Sequence, residues 1–231
     1  MMNARTFAIC ALGLAVVPLV VQGQGLAQYR NFELGSELAA VSDLAGVAVS
    51  EAKTLHERPA VLQDLEWRPA RWIGGSTSAS TDPVEQVLFS FYNNQLFRIV
   101  VDYSNDRTQG MTGADMIEAL SAVYGAPVKR TAGAGRAASR LEVESGSPVA
   151  RWGDAQNPVV LYRTSSYRET FRLIVTAAAL EDLTRKAEVQ AARLDEQEAP
   201  QREIARQKKE RDDDRAVAEK ARNANKAAFR P

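Results

Sequence analysis

The sequence has few of the side chains on which most catalytic and metal sites depend. Its 231 residues include one cysteine and one histidine. A structural zinc site needs several such side chains and a disulfide needs two cysteines, so neither is expected. His56 stands next to Glu57, and the chain has no G-x-S-x-G motif, which favours an inert histidine over a Ser-His-Asp triad. We expect no cofactor, and we expect a non-catalytic protein rather than an enzyme.

Charge of one sign is also missing, because 29 Lys and Arg balance 29 Asp and Glu. This balance gives no reason to expect nucleic acid as a partner. The composition changes near residue 182: residues 28–182 hold every tyrosine and tryptophan, whereas Phe229 is the sole aromatic residue of 183–231. The sequence therefore predicts a globular domain over 28–182 and a polar helical or disordered tail over 183–231.

The N-terminus has the composition of a secretory signal. Arg5 precedes an uncharged apolar run at residues 7–21, and small residues lead up to Ala27. The run is shorter than the roughly 20 residues that a membrane helix needs, so we predict a signal peptide over 1–27, cleaved before Gln28. The single cysteine lies inside the run, which argues against a lipoprotein. The mature chain is then free of cysteine and is periplasmic or secreted.

Two segments have helical periodicity. Apolar residues recur at spacings of three and four over 36–46 and again over 112–125. Thr112 and Asp115 have the spacing of a capping pair, and a glycine follows the last periodic residue of each segment. Both segments are predicted to be helices.

Strand patterns follow each of these helices in the same order. The first strands are expected at 62–72 and 140–152, and the hairpins at 84–103 and 159–178, with turns at 93–95 and 165–169. The closing strands contain the similar pentads FRIVV and FRLIV. We interpret the chain as one helix-then-three-strand unit present twice, at 32–103 and 112–178, with coincidence as the alternative. The predicted class is α+β, with a largely antiparallel sheet, helices on one face and a C-terminal helical extension.

This element order, with a start such as FELGSELAAVSDLAG, resembles the small envelope domain of outer-membrane assembly lipoproteins of the SmpA/OmlA type. In duplicate it resembles the fold of β-lactamase inhibitory protein. The lipid-carrying cysteine of the lipoprotein family is missing here. The resemblance implies a protein-binding module of the cell envelope, although a fold alone does not determine a function.

One loop concentrates positive charge. Residues 129–140 include Lys129, Arg130, Arg136 and Arg140 and no acidic residue. Such a loop can contact phosphate head groups of a membrane, or an acidic partner. A solvated loop without a role is the alternative interpretation.

The C-terminal region has the composition of a helix from Ala177 onward. Pro200 is expected to interrupt this helix. Beyond it we expect a mobile, partly helical extension, because no apolar seam of the coiled-coil kind is present.

The functional expectation is a non-catalytic module that binds an unknown envelope protein, with its oligomeric state open. One alternative is a carboxylate-based hydrolase or lyase, which a pair of buried acids facing a pocket would support. Another is a carrier of small molecules or lipids, which an apolar cavity between sheet and helices would support.

Overall fold

The computed structural model describes residues 27–69, 82–128, 144–164, 170–228 and 230. The helices are α1 (Leu38–Ala45), α2 (Asn105–Thr108), α3 (Gly113–Tyr124) and α4 (Ala178–Ala228), and a 3₁₀ turn spans Val49–Glu51. The strands are β1 (Gln28–Tyr29), β2 (Phe32–Glu33), β3 (Lys53–His56), β4 (Leu62–Trp67), β5 (Val84–Tyr92), β6 (Gln95–Tyr103), β7 (Ser147–Gly153), β8 (Pro158–Thr164) and β9 (Thr170–Thr176). The α+β class predicted from the sequence is confirmed.

Seven of the strands form one antiparallel sheet in the order β3-β4-β5-β6-β9-β8-β7, and β1 and β2 form a separate hairpin. The turn between β5 and β6 consists of Asn93 and Asn94, whose φ angles are 46° and 69°. Asparagine tolerates this left-handed conformation, which matches the twist of a two-residue hairpin. The predicted hairpin at this position is confirmed.

Apart from the edge strand β3, the order of the sheet is symmetric about the pair β6 and β9. The pentads FRIVV of β6 and FRLIV of β9 pair with each other around Val100 and Ile174, which occupy the same position in the two pentads. On either side of this central pair, Ile99 lies opposite Val175 and Val101 lies opposite Leu173, so each pentad contributes equivalent positions to the pairing. Strands β4-β5-β6 and β7-β8-β9 are thus arranged alike on the two sides. The internal duplication itself stays a prediction.

One face of the sheet carries the main hydrophobic core. Helices α1 and α3 and the β1–β2 hairpin pack on this face, because alternate residues of each strand point toward it. Its largest fully buried side chains include Trp152, Phe89 and Phe91. The Trp152 indole N–H donates to the Ser121 hydroxyl of α3 at 3.2 Å, so that the buried polar group is satisfied.

Helix α3 begins and ends where the sequence predicts. The Thr112 hydroxyl accepts from the Asp115 backbone N–H at 3.3 Å, and the Asp115 carboxylate accepts from the Thr112 backbone N–H at 2.7 Å. These two bonds form the capping box expected from the spacing. Gly125 follows the last helical residue.

Helix α4 crosses the opposite face of the sheet and continues past its edge. Thr184, Ala187 and Ala191 are buried, whereas residues 199–228 are exposed throughout. The expected interruption at Pro200 is wrong, because the helix continues through this residue to Ala228. A proline forgoes one backbone hydrogen bond, but strong helix formers flank it on both sides and allow the helix to continue.

Candidate functional site: a tyrosine cleft

A cleft of about 470 Å³ opens between α3, α2, the end of β6 and the β1–β2 hairpin. Most of its wall is apolar, and three tyrosines, one threonine and one arginine supply its polar groups. It is lined by Tyr29, Arg30, Pro83, Tyr103, Thr108, Met111, Met116, Ala119, Leu120, Val123 and Tyr124. We call it the tyrosine cleft.

The helical period of α3 forms one wall of the cleft. Met116, Leu120 and Tyr124 follow one another at intervals of four residues, so they lie on one face of the helix and turn toward the sheet. Met116 and Leu120 are buried. Ala119 and Val123 lie beside this face and are exposed at the mouth of the cleft.

The tyrosine hydroxyls of the cleft already have partners. The Tyr124 hydroxyl donates to the backbone carbonyl of Gln28 at 3.1 Å, which ties α3 to β1. The side chains of Tyr29 and Tyr103 interact with each other, and each influences the pKa of the other. Burial raises the pKa of all three tyrosines above its ordinary value, so each stays neutral at physiological pH.

Arg30 forms the polar rim of the cleft. Its guanidinium donates two hydrogen bonds to the Asp82 carboxylate, at 2.9 and 2.7 Å. These bonds lower the pKa of Asp82. The guanidinium also lies 5.4 Å from the ring centre of Tyr29 and 6.0 Å from that of Trp67, which is the range of cation–π contacts. The charge of Arg30 is therefore neutralised within the protein.

The arrangement determines which chemistry the cleft can recognise. An anionic ligand would have to displace Asp82 from Arg30, and a strongly polar ligand would have to break the tyrosine hydrogen bonds. Apolar side chains and aromatic rings remain available for contact, including the sulfur atoms of Met111 and Met116. The cleft fits a neutral, largely apolar molecule.

A second, smaller cavity of about 210 Å³ lies between the end of β3 and α4. His56 lines it together with Arg58 and Asp195, and Arg58 forms an exposed ion pair with Glu198 of α4 at 3.0 Å. No serine lines this cavity among the described residues. His56 is thus placed beside cations and carboxylates of the surface and not beside a nucleophile.

The carboxylate-based alternative depends on acids that face a pocket. Burial raises the pKa of Asp64 on β4, and its interacting neighbours are Ser90, Arg98 and Lys53. Asp64 lines neither the tyrosine cleft nor the smaller cavity. Within the described part of the chain, no group of three or more His, Cys, Asp or Glu side chains is arranged to hold a metal ion.

The basic side chains singled out from the sequence, Lys129, Arg130, Arg136 and Arg140, lie outside the described residues, as does Trp72. The first 26 residues, and with them nearly all of the predicted signal, also lie outside. Among the helices that the structure does describe, none has the length and apolar composition of a membrane span.

Comparisons with protein-family models, with curated proteins and with solved structures give no match to this chain. The resemblance to SmpA/OmlA-type domains and to β-lactamase inhibitory protein accordingly stays a prediction.

Sequence reasoning did not identify the tyrosine cleft. Tyr29 and Arg30 follow the predicted signal cleavage site, where no strand was expected, and α2 was not predicted. One signal was present, because Tyr103 ends the β6 pattern and Tyr124 ends the α3 pattern. Two aromatic residues with polar tips at the ends of adjacent elements indicate a boundary between core and solvent.

Proposed function

We propose that the protein is an exported, non-catalytic binding protein of the bacterial cell envelope, and that its tyrosine cleft holds a small, neutral, largely apolar molecule. The observation that carries this proposal is the cleft, whose volume of about 470 Å³ lies in the range of small-molecule sites. Arg30, Thr108 and Tyr124 already bind partners elsewhere in the protein, which favours an apolar ligand. The predicted signal peptide supports the location.

A protein-binding module is the second candidate function. The observation on its side is the exposed part of α4, residues 199–228, which extends beyond the sheet and offers a long helical surface to a partner. A hydrolase or lyase has less support, since the carboxyl of Asp64 lies outside both cavities.

The ligand site is tested with a neutral aromatic dye, N-phenyl-1-naphthylamine, whose fluorescence rises in an apolar pocket. Two exposed alanines of α3 provide a matched pair of variants. Ala119 lines the cleft, whereas Ala114 does not and lies on the other side of the helix. Phenylalanine at position 119 fills part of the cleft, and phenylalanine at position 114 adds the same side chain elsewhere.

We expect saturable binding of about one dye per chain. Ala119→Phe should weaken the affinity at least about ten-fold, equivalent to about 1.4 kcal/mol, while Ala114→Phe leaves it unchanged. Equal binding by both variants, or a signal that does not saturate, would contradict the assignment of the cleft as the ligand site. Circular dichroism of each variant checks that α3 and the sheet are retained.

A further inference from the structure

The C-terminal part of α4 is a rod with solvent on all sides. Residues 199–228, which we call the arm, are exposed at every position. At 1.5 Å per residue the arm is about 45 Å long.

The charges of the arm are segregated around the helix. At 3.6 residues per turn, five cations fall within about 60° of arc, and no Asp or Glu of α4 falls in that sector. We call these five residues the basic stripe. They are Lys208, Arg211, Arg215, Arg222 and Lys226.

The same sector continues along the part of α4 that packs on the sheet. Lys186 and Arg193 lie in it and are exposed. The buried residues of the helix, Thr184, Ala187 and Ala191, lie roughly 130° away around the axis. From Lys186 to Lys226 the sector is thus a line of cations about 60 Å long on the outer side of the helix.

Two arginines on the other side of the arm are held in ion pairs. Arg202 binds Asp195 at 2.8 Å, and Arg206 binds Glu203 at 2.9 Å. Among the described residues, by contrast, no ion pair within 4.0 Å involves a member of the basic stripe. The stripe therefore retains its charge for an external anion.

We propose that α4 docks on an anionic lipid surface through the basic stripe. A line of cations about 60 Å long is about twice the diameter of a small domain, so a plane of head groups can contact all of it at once, while a small acidic protein can contact only part. Ile204 is the one large apolar side chain of the arm in this sector. The contact therefore lies at the level of the head groups, and the helix does not insert.

The test measures how much protein sediments with vesicles of phosphatidylcholine, prepared with and without phosphatidylglycerol. The protein is used in the form in which it is purified from the expressing cell, after any processing there. The stripe variant carries Lys208→Gln, Arg211→Gln, Arg215→Gln and Arg222→Gln. The control variant carries Arg202→Gln, Arg206→Gln, Lys209→Gln and Lys220→Gln, which lie on the other side of the same arm. Both variants lose four positive charges, and glutamine preserves the helix.

We expect the protein to bind only the vesicles that contain phosphatidylglycerol, and less as salt increases. Each cation near an anionic surface strengthens binding about five-fold, so the stripe variant should lose roughly a hundred-fold or more in partitioning, and the control variant less than about three-fold. Equal losses in both variants would show that net charge matters and the stripe does not, which overturns the proposal. Binding to soluble polyglutamate without binding to vesicles would overturn it as well, in favour of an acidic protein partner.

Discussion

Two truncations within α4 separate the part of the helix that stabilises the fold from the part that does not. One chain ends after Glu198, where the last partly buried position of the helix lies, and the other ends after Glu181. The first removes only the exposed arm. The second also removes the buried residues Thr184, Ala187 and Ala191, of which Ala187 packs with Leu62 of β4.

The loss of stability caused by ending the chain at Glu181 can be calculated from the side chains that this deletion exposes. Leu62 is 2% exposed and packs with Ala60, Ala187 and Tyr92 under the helix. Returning a leucine side chain to water costs about 1.5–3 kcal/mol, and the burial of Ala187 and Ala191 contributes about 0.8 kcal/mol each. We expect the free energy of unfolding to fall by about 3–4.5 kcal/mol when the chain ends at Glu181, relative to the chain that ends at Glu198.

The assay is urea denaturation of the full chain and both truncations, followed by tryptophan fluorescence and circular dichroism. The chain ending at Glu198 should have the midpoint of the full chain within error, and the chain ending at Glu181 should have a clearly lower midpoint at a similar slope. If both truncations unfold at the same urea concentration, the packing of α4 on β4 does not stabilise the domain, and the reasoning from burial fails.

Three substitutions and one sequencing experiment have defined outcomes. Thr112→Ala removes the capping box of α3 and should lower the free energy of unfolding by about 1 kcal/mol in a urea titration. Arg30 lowers the pKa of Asp82, so their contact stabilises the fold at pH values above the ordinary carboxyl pKa of about 4. This stabilisation is lost as the pH falls through the lowered pKa of Asp82. Asp82→Asn should therefore lower the free energy of unfolding at pH 7 and have little effect on it in strong acid. The effect of Asp64 on stability has the opposite pH dependence, because burial raises its pKa. Stability declines as the pH rises from the ordinary carboxyl pKa through the raised pKa of Asp64. The Asp64→Asn variant should therefore be more stable than the parent protein at pH 7. N-terminal sequencing of the protein from an exporting bacterium should begin at Gln28, and a chain that retains Met1 would refute the predicted signal cleavage.

Local patterns predicted the elements that depend on local chemistry. The hairpin at Asn93 and Asn94 was predicted because few residue types other than asparagine and glycine tolerate two successive positive φ angles. Helix α3 was predicted because the Thr112–Asp115 spacing satisfies backbone groups within one turn. Short elements such as β1 and β2 have no periodicity of their own. They exist because Tyr29 and Phe32 are buried against the core, which depends on tertiary contacts.

Pro200 shows how a strong local rule can mislead. A proline inside a helix usually kinks or ends it, yet α4 continues for 28 residues beyond this position. If the helix ended at Pro200, the angular positions of the residues after it would bear no relation to those of Lys186 and Arg193. The continuation of the basic stripe to Lys186 and Arg193 is visible in the sequence only when one continuous period of 3.6 residues is applied across Pro200.

The tyrosine cleft could not be predicted because its residues have the same pattern as core residues. Met116 and Leu120 recur at the helical period whether the space before them is filled or open, and hydrophobic periodicity measures only which side faces inward. What leaves the space open is the position of Tyr103 at the last residue of β6, since the sheet supplies no further side chain there. The Tyr124 hydroxyl then binds the Gln28 carbonyl across the gap and fixes the distance between α3 and β1. A void with apolar walls and satisfied polar groups can stay open without the cost of unpaired donors, so a ligand that fills it gains apolar contact without having to replace any hydrogen bond.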